Sequence, residues 1–225
     1  MNFHVLSVIP EVFDEYFNTS VLGKARKRKV VSIKTYNLRN WAADKHHKVD
    51  DSPYGGGPGM VMKVEPIYKA VKSLKSKVKS GKTRVVLFST RGKLFTNKDA
   101  KRLSKYKNLI LICGRYEGVD ERVAKYIADE EISVGNFILS GGEIPAMIII
   151  DAVSRFIPGV LGKNESLEEI KGSFPTYTRP EVFYPDSKNN KKSARGRSAL
   201  GRKLAVPKIL LSGDHKKIEE WRKKI

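Results

Sequence analysis

Three stretches decide the fold: RVVLFSTRG (Arg84 to Gly92), LILICGRYEG (Leu109 to Gly118) and ISVGNFILSGGE (Ile132 to Glu143). Each opens as a short run of β-branched and aliphatic residues and ends in a loop of small ones. Between and after them, Thr96 to Ser104, Asp120 to Ala128 and Pro145 to Phe156 have helical spacing. Short strands alternating with helices predict an α/β domain built on a mostly parallel sheet. The strands are expected at Arg84 to Phe88, Leu109 to Cys113 and Ile132 to Leu139. In such a sheet, ligands bind beyond the carboxyl ends of the strands. Glycines there let backbone N–H and C=O groups approach a ligand closely, so three such loops in succession predict a small-molecule cradle. No G-x-x-x-x-G-K-S/T and no strand-linked G-x-G-x-x-G occurs, so the ligand need not be a triphosphate or a dinucleotide.

Working outward, Phe3 to Val8 and Val30 to Tyr36 read as two further strands, with a helix from Pro10 to Leu22 between them. Ile67, Val71, Leu74 and Val78 recur at helical spacing, with lysines on the other face. Pro158-Gly159 closes the last helix of the large domain. Beyond it lie a polar linker, a low-complexity basic segment from Asp186 to Lys203, and a terminal helix from His215 to Lys224. The expected division is a domain at 1–161, a linker at 162–176 and a small basic domain at 177–225.

The 225 residues carry 44 Lys and Arg against 24 Asp and Glu, a net charge of +20. That excess predicts a polyanionic partner. It is unevenly spread, with net charges of +8 over Lys24 to Lys48, +7 over Lys69 to Arg84 and +9 over Val182 to Ile225. Leu111 to Asp151, by contrast, is net −5. The pattern is that of basic zones for a phosphate backbone around a centre reserved for something else. The single cysteine, Cys113, excludes a disulfide framework and a multi-cysteine metal site. No apolar run reaches the roughly 20 residues of a membrane span, and Met1 to Pro10 lacks a basic secretory start. A reducing, cytoplasmic setting is expected, with neither membrane nor DNA as a partner.

Tyr54-Gly-Gly-Gly-Pro-Gly-Met60 cannot be regular structure, and Lys45 to Asp51 just before it mixes bases with paired carboxylates. A carboxylate there suits an amino group on a base edge, while a plain surface turn is the alternative. The four histidines have no ligand spacing with cysteines or acids, which argues against zinc.

These blocks carry a resemblance: Asn37-Leu-Arg39, Asp44-Lys-His46, Val49 to Met62, Cys113 to Arg122, Leu139 to Glu143 with Pro145-Ala146, and Ile150 to Val153 with Arg155, Pro158 and Gly159. To them the end of the chain adds Tyr177 to Pro180, Val206-Pro207, and Leu211 to His215 with Trp221-Arg222. Together they resemble the bacterial tRNA (guanine-N1)-methyltransferases, which modify the guanosine just 3′ of the anticodon and so support reading-frame maintenance. The resemblance covers nearly the whole chain except Asp186 to Lys203.

It implies a SPOUT-type α/β fold whose segment at about 84–160 forms a deep trefoil knot, an exception to the rule against knots. A small, mainly helical C-terminal domain would help hold the tRNA. It also implies a homodimer with a site shared between subunits, and S-adenosyl-L-methionine as methyl donor. The donor pocket would fall on Thr90, Gly114, Tyr116, Glu117, Gly118, Val134, Gly135, Phe137, Leu139, Gly141 and Gly142. His46, Asp50, Tyr54, Arg179 and His215 would meet the tRNA anticodon stem-loop, and Arg155 matches the family's essential arginine.

Methylating N1 of guanine requires removing the N1 proton and stabilising charge that moves to O6, so a carboxylate and an arginine are the natural pair. Where the family places an Asp before a Ser-Phe pair, this chain has Gly172 before Ser173-Phe174. Glu168 and Glu169 are the nearest carboxylates, and Glu169 is taken as the base. If both are ordinary surface acids, Glu117 or a bound metal such as Mg2+ has to assist, or activity is reduced. A knotted methyltransferase for another RNA and an RNA-binding module without activity are the rival readings.

Overall fold

The computed structural model describes residues 1–78, 81–161, 174–185 and 203–223. The chain divides into two compact units, Met1–Ser166 and Leu167–Ile225. The first is a five-stranded sheet in the order β2-β1-β6-β5-β7, built from β1 (Asn2–Ser7), β2 (Ser32–Asn37), β5 (Thr83–Leu94), β6 (Asn108–Ile112) and β7 (Glu130–Ser133). All of its pairings are parallel. The short strands β3 (Asp50–Asp51) and β4 (Val61–Met62) form a separate antiparallel hairpin.

The sheet is central because its inner strands are largely buried on both faces. Every residue of β6 is buried, which is the mark of a strand covered above and below. On one face Phe3, Val5, Leu109 and Leu111 pack against α1 (Asp14–Asn18), α2 (Ser20–Lys27), α4 (Asn97–Leu103) and α6 (Glu143–Arg155). On the other, Leu6, Ile110 and Ile112 meet α3 (Val64–Lys77) and α5 (Glu121–Tyr126). In α3 the residues at helical spacing, Ile67, Val71 and Leu74, are the buried ones, and the lysines Lys69, Lys72 and Lys75 are exposed. A buried carboxylate ties β5, α4 and β7 together: Asp99 accepts from Lys93 at 2.9 Å, Thr96 at 2.7 Å and Arg102 at 3.2 Å. Arg102 and Arg84 reach on to Glu130.

Three local expectations are corrected. The strand predicted to run to Leu139 stops at Ser133, where the Ser133 hydroxyl accepts from Gly135 N–H at 3.3 Å and donates to Gly135 C=O at 3.0 Å, turning the chain away. The helix predicted over Pro10 to Leu22 is three pieces, a 3-10 turn (Pro10–Phe13), α1 and α2. Thr19 is extended and Ser20 sits at φ 52°, which breaks the hydrogen-bond ladder between α1 and α2. The loop Ser89 to Gly92 lies within β5, not after it. Phe88 and Lys93 both pair with Ile132, so the four residues between are looped out of the ladder.

In the second unit, β8 (Val182–Phe183) pairs with β9 (Leu204–Ala205), and a 3-10 turn (Lys208–Leu211) precedes α7 (His215–Lys223). Among the described residues this unit is a short hairpin with a 3-10 turn and a helix, and helix outweighs strand in it, as expected. Tyr177 packs on Trp221 with ring centres 6.5 Å apart, and Arg222 lies 4.3 Å over the Phe174 ring. The basic segment at 186–202 lies outside the described residues.

Candidate active site

The looped-out segment of β5 and the carboxyl ends of β6 and β7 open into a cleft of about 450 Å³. Its walls are the three glycine loops, and all of Thr90, Gly114, Tyr116, Glu117, Gly118, Val134, Gly135, Phe137, Leu139, Gly141 and Gly142 line it. The loops are locked to one another by backbone. Gly142 N–H donates to Gly114 C=O at 2.9 Å. A β-carbon on Gly142 would lie 2.6 Å from Cys113 Cα, so only glycine lets the start of α6 pass this close to the end of β6. Tyr116 holds a left-handed φ of 62°, a conformation that costs a side-chain-bearing residue about 1–2 kcal/mol. The surrounding contacts must impose it.

Some of the cleft's polar groups are already paired. Arg91 meets Glu121 at 2.5 Å on the rim. Burial pushes the Cys113 thiol well above its ordinary value, leaving it a neutral apolar filler behind the cleft. Lining residues that composition did not single out include Leu87, Arg115, Val119, Glu131 and Pro145. Arg115 stood inside a quoted loop, so position marked it where residue type did not.

The glycine-rich segment is the tip of the β3–β4 hairpin, and this hairpin is bonded onto the lip of the cleft. Met62 N–H donates to Gly118 C=O at 2.9 Å, Asp120 N–H to Met62 C=O at 3.0 Å, and Glu117 N–H to Met60 C=O at 3.0 Å. Glu117 lies over Gly59, which has no side chain to obstruct it. At the tip, Gly55, Gly56, Gly57 and Gly59 all have positive φ, and Tyr54 is fully exposed. Asp44 accepts from the N–H groups of His46 at 2.9 Å and Lys48 at 3.1 Å, which leaves the His46 ring exposed. His46, Asp50 and Tyr54 are thus on one loop system beside the cleft.

The other expected residues lie apart. Arg155 ends α6, whose first turn carries Pro145 on the cleft wall. At 1.5 Å per residue the 13-residue helix puts its two ends roughly 20 Å apart. Arg155 instead borders a second cavity of about 290 Å³ with Tyr16, Ser20, Asp151, Ser154 and Val160. There the Tyr16 hydroxyl donates to Asp151 at 2.6 Å, and this bond, with burial, pushes its pKa up to about 12. Arg179 and His215 are exposed residues of the second unit. Glu168 and Glu169 lie outside the described residues. Among the described residues, no group of three or more His, Cys, Asp or Glu is placed to hold a metal ion, and no helix is long and apolar enough to cross a membrane.

Comparison with known proteins bears directly on this arrangement. The family model described as tRNA (Guanine-1)-methyltransferase TrmD matches residues 1–225. A tRNA (guanine-N(1)-)-methyltransferase of Dictyoglomus turgidum is 49% identical over 225 residues, 98% of this chain and 82% of its own. The enzyme of that name from Clostridioides difficile is 40% identical over 99% of this chain and 91% of its own. The crystal structure of a tRNA (m1G37) methyltransferase from Aquifex aeolicus superposes with a TM-score of 0.76 at 41% identity, covering 98% of this chain and 87% of that one. The likeness runs over essentially the full length, and the chain belongs to the tRNA (guanine-N1)-methyltransferase family.

Proposed function

We propose that this enzyme methylates N1 of the guanosine immediately 3′ of the anticodon, drawing the methyl group from S-adenosylmethionine bound in the glycine cleft. The observation that carries the reading is the attachment of the Asp50-to-Met62 hairpin to the lip of that cleft. It places an exposed aromatic tip and a small-molecule cradle in one rigid unit.

The cleft fits the donor. Its volume lies within the usual range for small-ligand sites, about 300–1,000 Å³. Leu87, Val134, Leu139 and Pro145 give it apolar walls, and the glycine loops bring bare backbone to its edge. S-adenosylmethionine supplies an electrophilic methyl group on a positively charged sulfur, which suits a region of net −5. The chain's own residues do the rest. As the N1–carbon bond forms and the sulfur–methyl bond breaks to leave a neutral thioether, a carboxylate takes the N1 proton, a role we assign to Glu169. The Arg155 guanidinium meets the negative charge that moves to O6, where a fixed donor is worth about 3–4 kcal/mol. Glu117, over Gly59 at the junction of hairpin and cleft, is the carboxylate that can assist. Among the described residues, no cluster of His, Cys, Asp or Glu side chains is placed to hold Mg2+.

Arg155 lies too far from the cleft of its own chain, so the reading places it at the cleft of a second copy. The exposed side of α6 supports this, because Ile144 and Ile148 are 54% and 40% exposed on a helix whose other faces are core. The return from β7 at the sheet edge to Gly142, hydrogen-bonded beside Gly114 at the end of β6, is the pass that we read as the knot. The second unit, with Arg179 and His215, would take the tRNA arm.

Transfer of a labelled methyl group to tRNA transcripts tests the proposal. Incorporation is expected when guanosine stands 3′ of the anticodon and not when adenosine replaces it. Incorporation into neither transcript, or equally into both, would overturn it.

A further inference from the structure

One buried acid takes no part in the chemistry above. Glu143, the first residue of α6, is only 4% exposed. Its Oε1 accepts from the Ser7 hydroxyl at 2.7 Å, and both its oxygens lie 3.2 Å from Arg115 Nε. Ser7 is fully buried at the end of β1 and is itself fixed by the Ile9 N–H, 3.0 Å from its oxygen. Gly141 makes room for this arrangement, because a β-carbon there would stand 3.0 Å from Arg115 Cγ and Nε and collide with Glu143.

Arg115 is held from both ends. Its backbone N–H reaches the Met62 sulfur at 3.1 Å, and its Nε is committed to Glu143. Its two terminal amino groups have no partner among the described residues, and Arg115 lines the cleft. The other arginine on the cleft wall, Arg91, is already engaged by Glu121. Burying a carboxylate is unfavourable, and an apolar side chain of similar size would fill the space at least as well. What the carboxylate adds is a fixed orientation for a guanidinium whose free edge matches a pair of anionic oxygens.

We propose that Ser7 and Glu143 are positioning residues that set Arg115 as an oxyanion clamp in the cleft. Its ligand is a carboxylate or a phosphate: the amino-acid tail of the methyl donor, or a backbone phosphate of the RNA. The proposal rests on the reading of the cleft as the donor site.

The test uses Arg115→Met, Arg115→Lys and Glu143→Gln in the full chain, with kcat and both KM values measured. Calorimetry with S-adenosylhomocysteine, which carries the carboxylate, is run beside it. If the donor's tail is the ligand, Arg115→Met weakens S-adenosylhomocysteine binding and raises the donor KM about 10- to 100-fold, with kcat held. Wild-type enzyme given decarboxylated S-adenosylmethionine then shows the same raised KM, and Arg115→Met makes no further difference to that substrate. If an RNA phosphate is the ligand, the tRNA KM rises instead, and the salt dependence of tRNA binding loses about one charge. Arg115→Lys recovers part of the loss in either case. Glu143→Gln moves the same parameter, and the double variant loses no more than Arg115→Met alone. Unchanged binding of both ligands in Arg115→Met, or a loss confined to kcat, overturns the clamp. So does full additivity of the two substitutions. If Glu143→Gln does not fold, the Arg115 variants decide the question alone. Failure of wild-type enzyme to methylate any tRNA would count against the proposed function, while the calorimetry would still test the clamp.

Discussion

The sharpest test of how the cleft is held together is Gly142→Ala. Gly142 has φ −82° and ψ 0°, which any residue can adopt, so alanine meets no torsional penalty there. The penalty is one of space. The new β-carbon would stand 2.6 Å from Cys113 Cα, 3.0 Å from Gly114 N and 3.1 Å from Cys113 Cβ. Carbon atoms in contact prefer about 3.5–4.0 Å, so α6 and the end of β6 must part by about 1 Å. Overpacking of this kind costs about 1–3 kcal/mol, and stretching the 2.9 Å bond from Gly142 to Gly114 removes about 1 kcal/mol more. At about 2–4 °C per kcal/mol for a chain of this size, the melting temperature falls by about 4–16 °C. The same displacement moves the donor's cradle, so S-adenosylhomocysteine binding by calorimetry weakens as well. Gly56→Ala is the matched control. Gly56 sits at φ 78° with open space around it, so alanine there pays only the left-handed strain, about 1–2 kcal/mol, and leaves the cleft alone. A Gly142→Ala protein that melts like wild type and binds S-adenosylhomocysteine equally well would refute the idea that the two loops are locked by backbone contact.

Three other outcomes follow from the geometry. Tyr54→Ala leaves stability within about 0.5 kcal/mol, because a fully exposed ring supports nothing. It weakens tRNA binding by about 1–3 kcal/mol in a filter or gel-shift assay if the ring stacks on a base, and unchanged affinity would rule that role out. For Asp99, burial alone would raise the carboxyl pKa, but bonds from Lys93, Thr96 and Arg102 outweigh it and bring the value to about 2. A depressed carboxylate contributes stability that is present above its unfolded value of about 4 and is lost as pH falls through the folded value. Urea midpoints of wild type should therefore drop between about pH 4 and pH 2, and Asp99→Asn should flatten that limb; a parallel pair of curves counts against it. Arg155→Ala should lower kcat by about 100- to 1,000-fold and leave S-adenosylhomocysteine affinity unchanged, since the role proposed for Arg155 is toward guanine O6 and it does not line the cleft of its own chain. A loss of cofactor affinity would contradict that placement.

What was legible in the sequence follows the range of the forces involved. β6 could be read because the buried residues Leu109 to Cys113 form an unbroken apolar run, and α3 because its core face repeats at helical spacing. The error at Ile132 to Leu139 arose from the same signal. Phe137, Ile138 and Leu139 look like strand residues, yet they line a cleft, and Ile138 is 89% exposed. Composition cannot separate an apolar residue that meets core from one that meets a ligand or a second chain. The docking of the hairpin left no trace at all, because it depends on backbone bonds between Met62 and residues 118–120, which any side chains could make. Arg115 was hidden for a related reason, since its meaning lies in Glu143 and Ser7, both distant in sequence.

The two ends of α6 divide the labour of the proposed site, and the surface between them gives the reason. A helix that is apolar nearly all round is normally buried on every side. In α6, Pro145, Ala146, Ile149, Ile150 and Val153 face the core, while Ile144 and Ile148 face outward and lead at helical spacing to Arg155. In the proposed reading a second copy covers that stripe and sets Arg155 against the neighbouring cleft, since its own lies roughly 20 Å away. Two chains of +20 repel each other, so the apolar stripe has to outweigh that repulsion for the pair to form. Added salt screens the repulsion and favours the pair, yet the same salt weakens tRNA binding by competing at phosphate contacts. Activity at low protein concentration should therefore pass through a maximum with ionic strength. Below it the limit is assembly of a complete site, and above it the limit is capture of the tRNA.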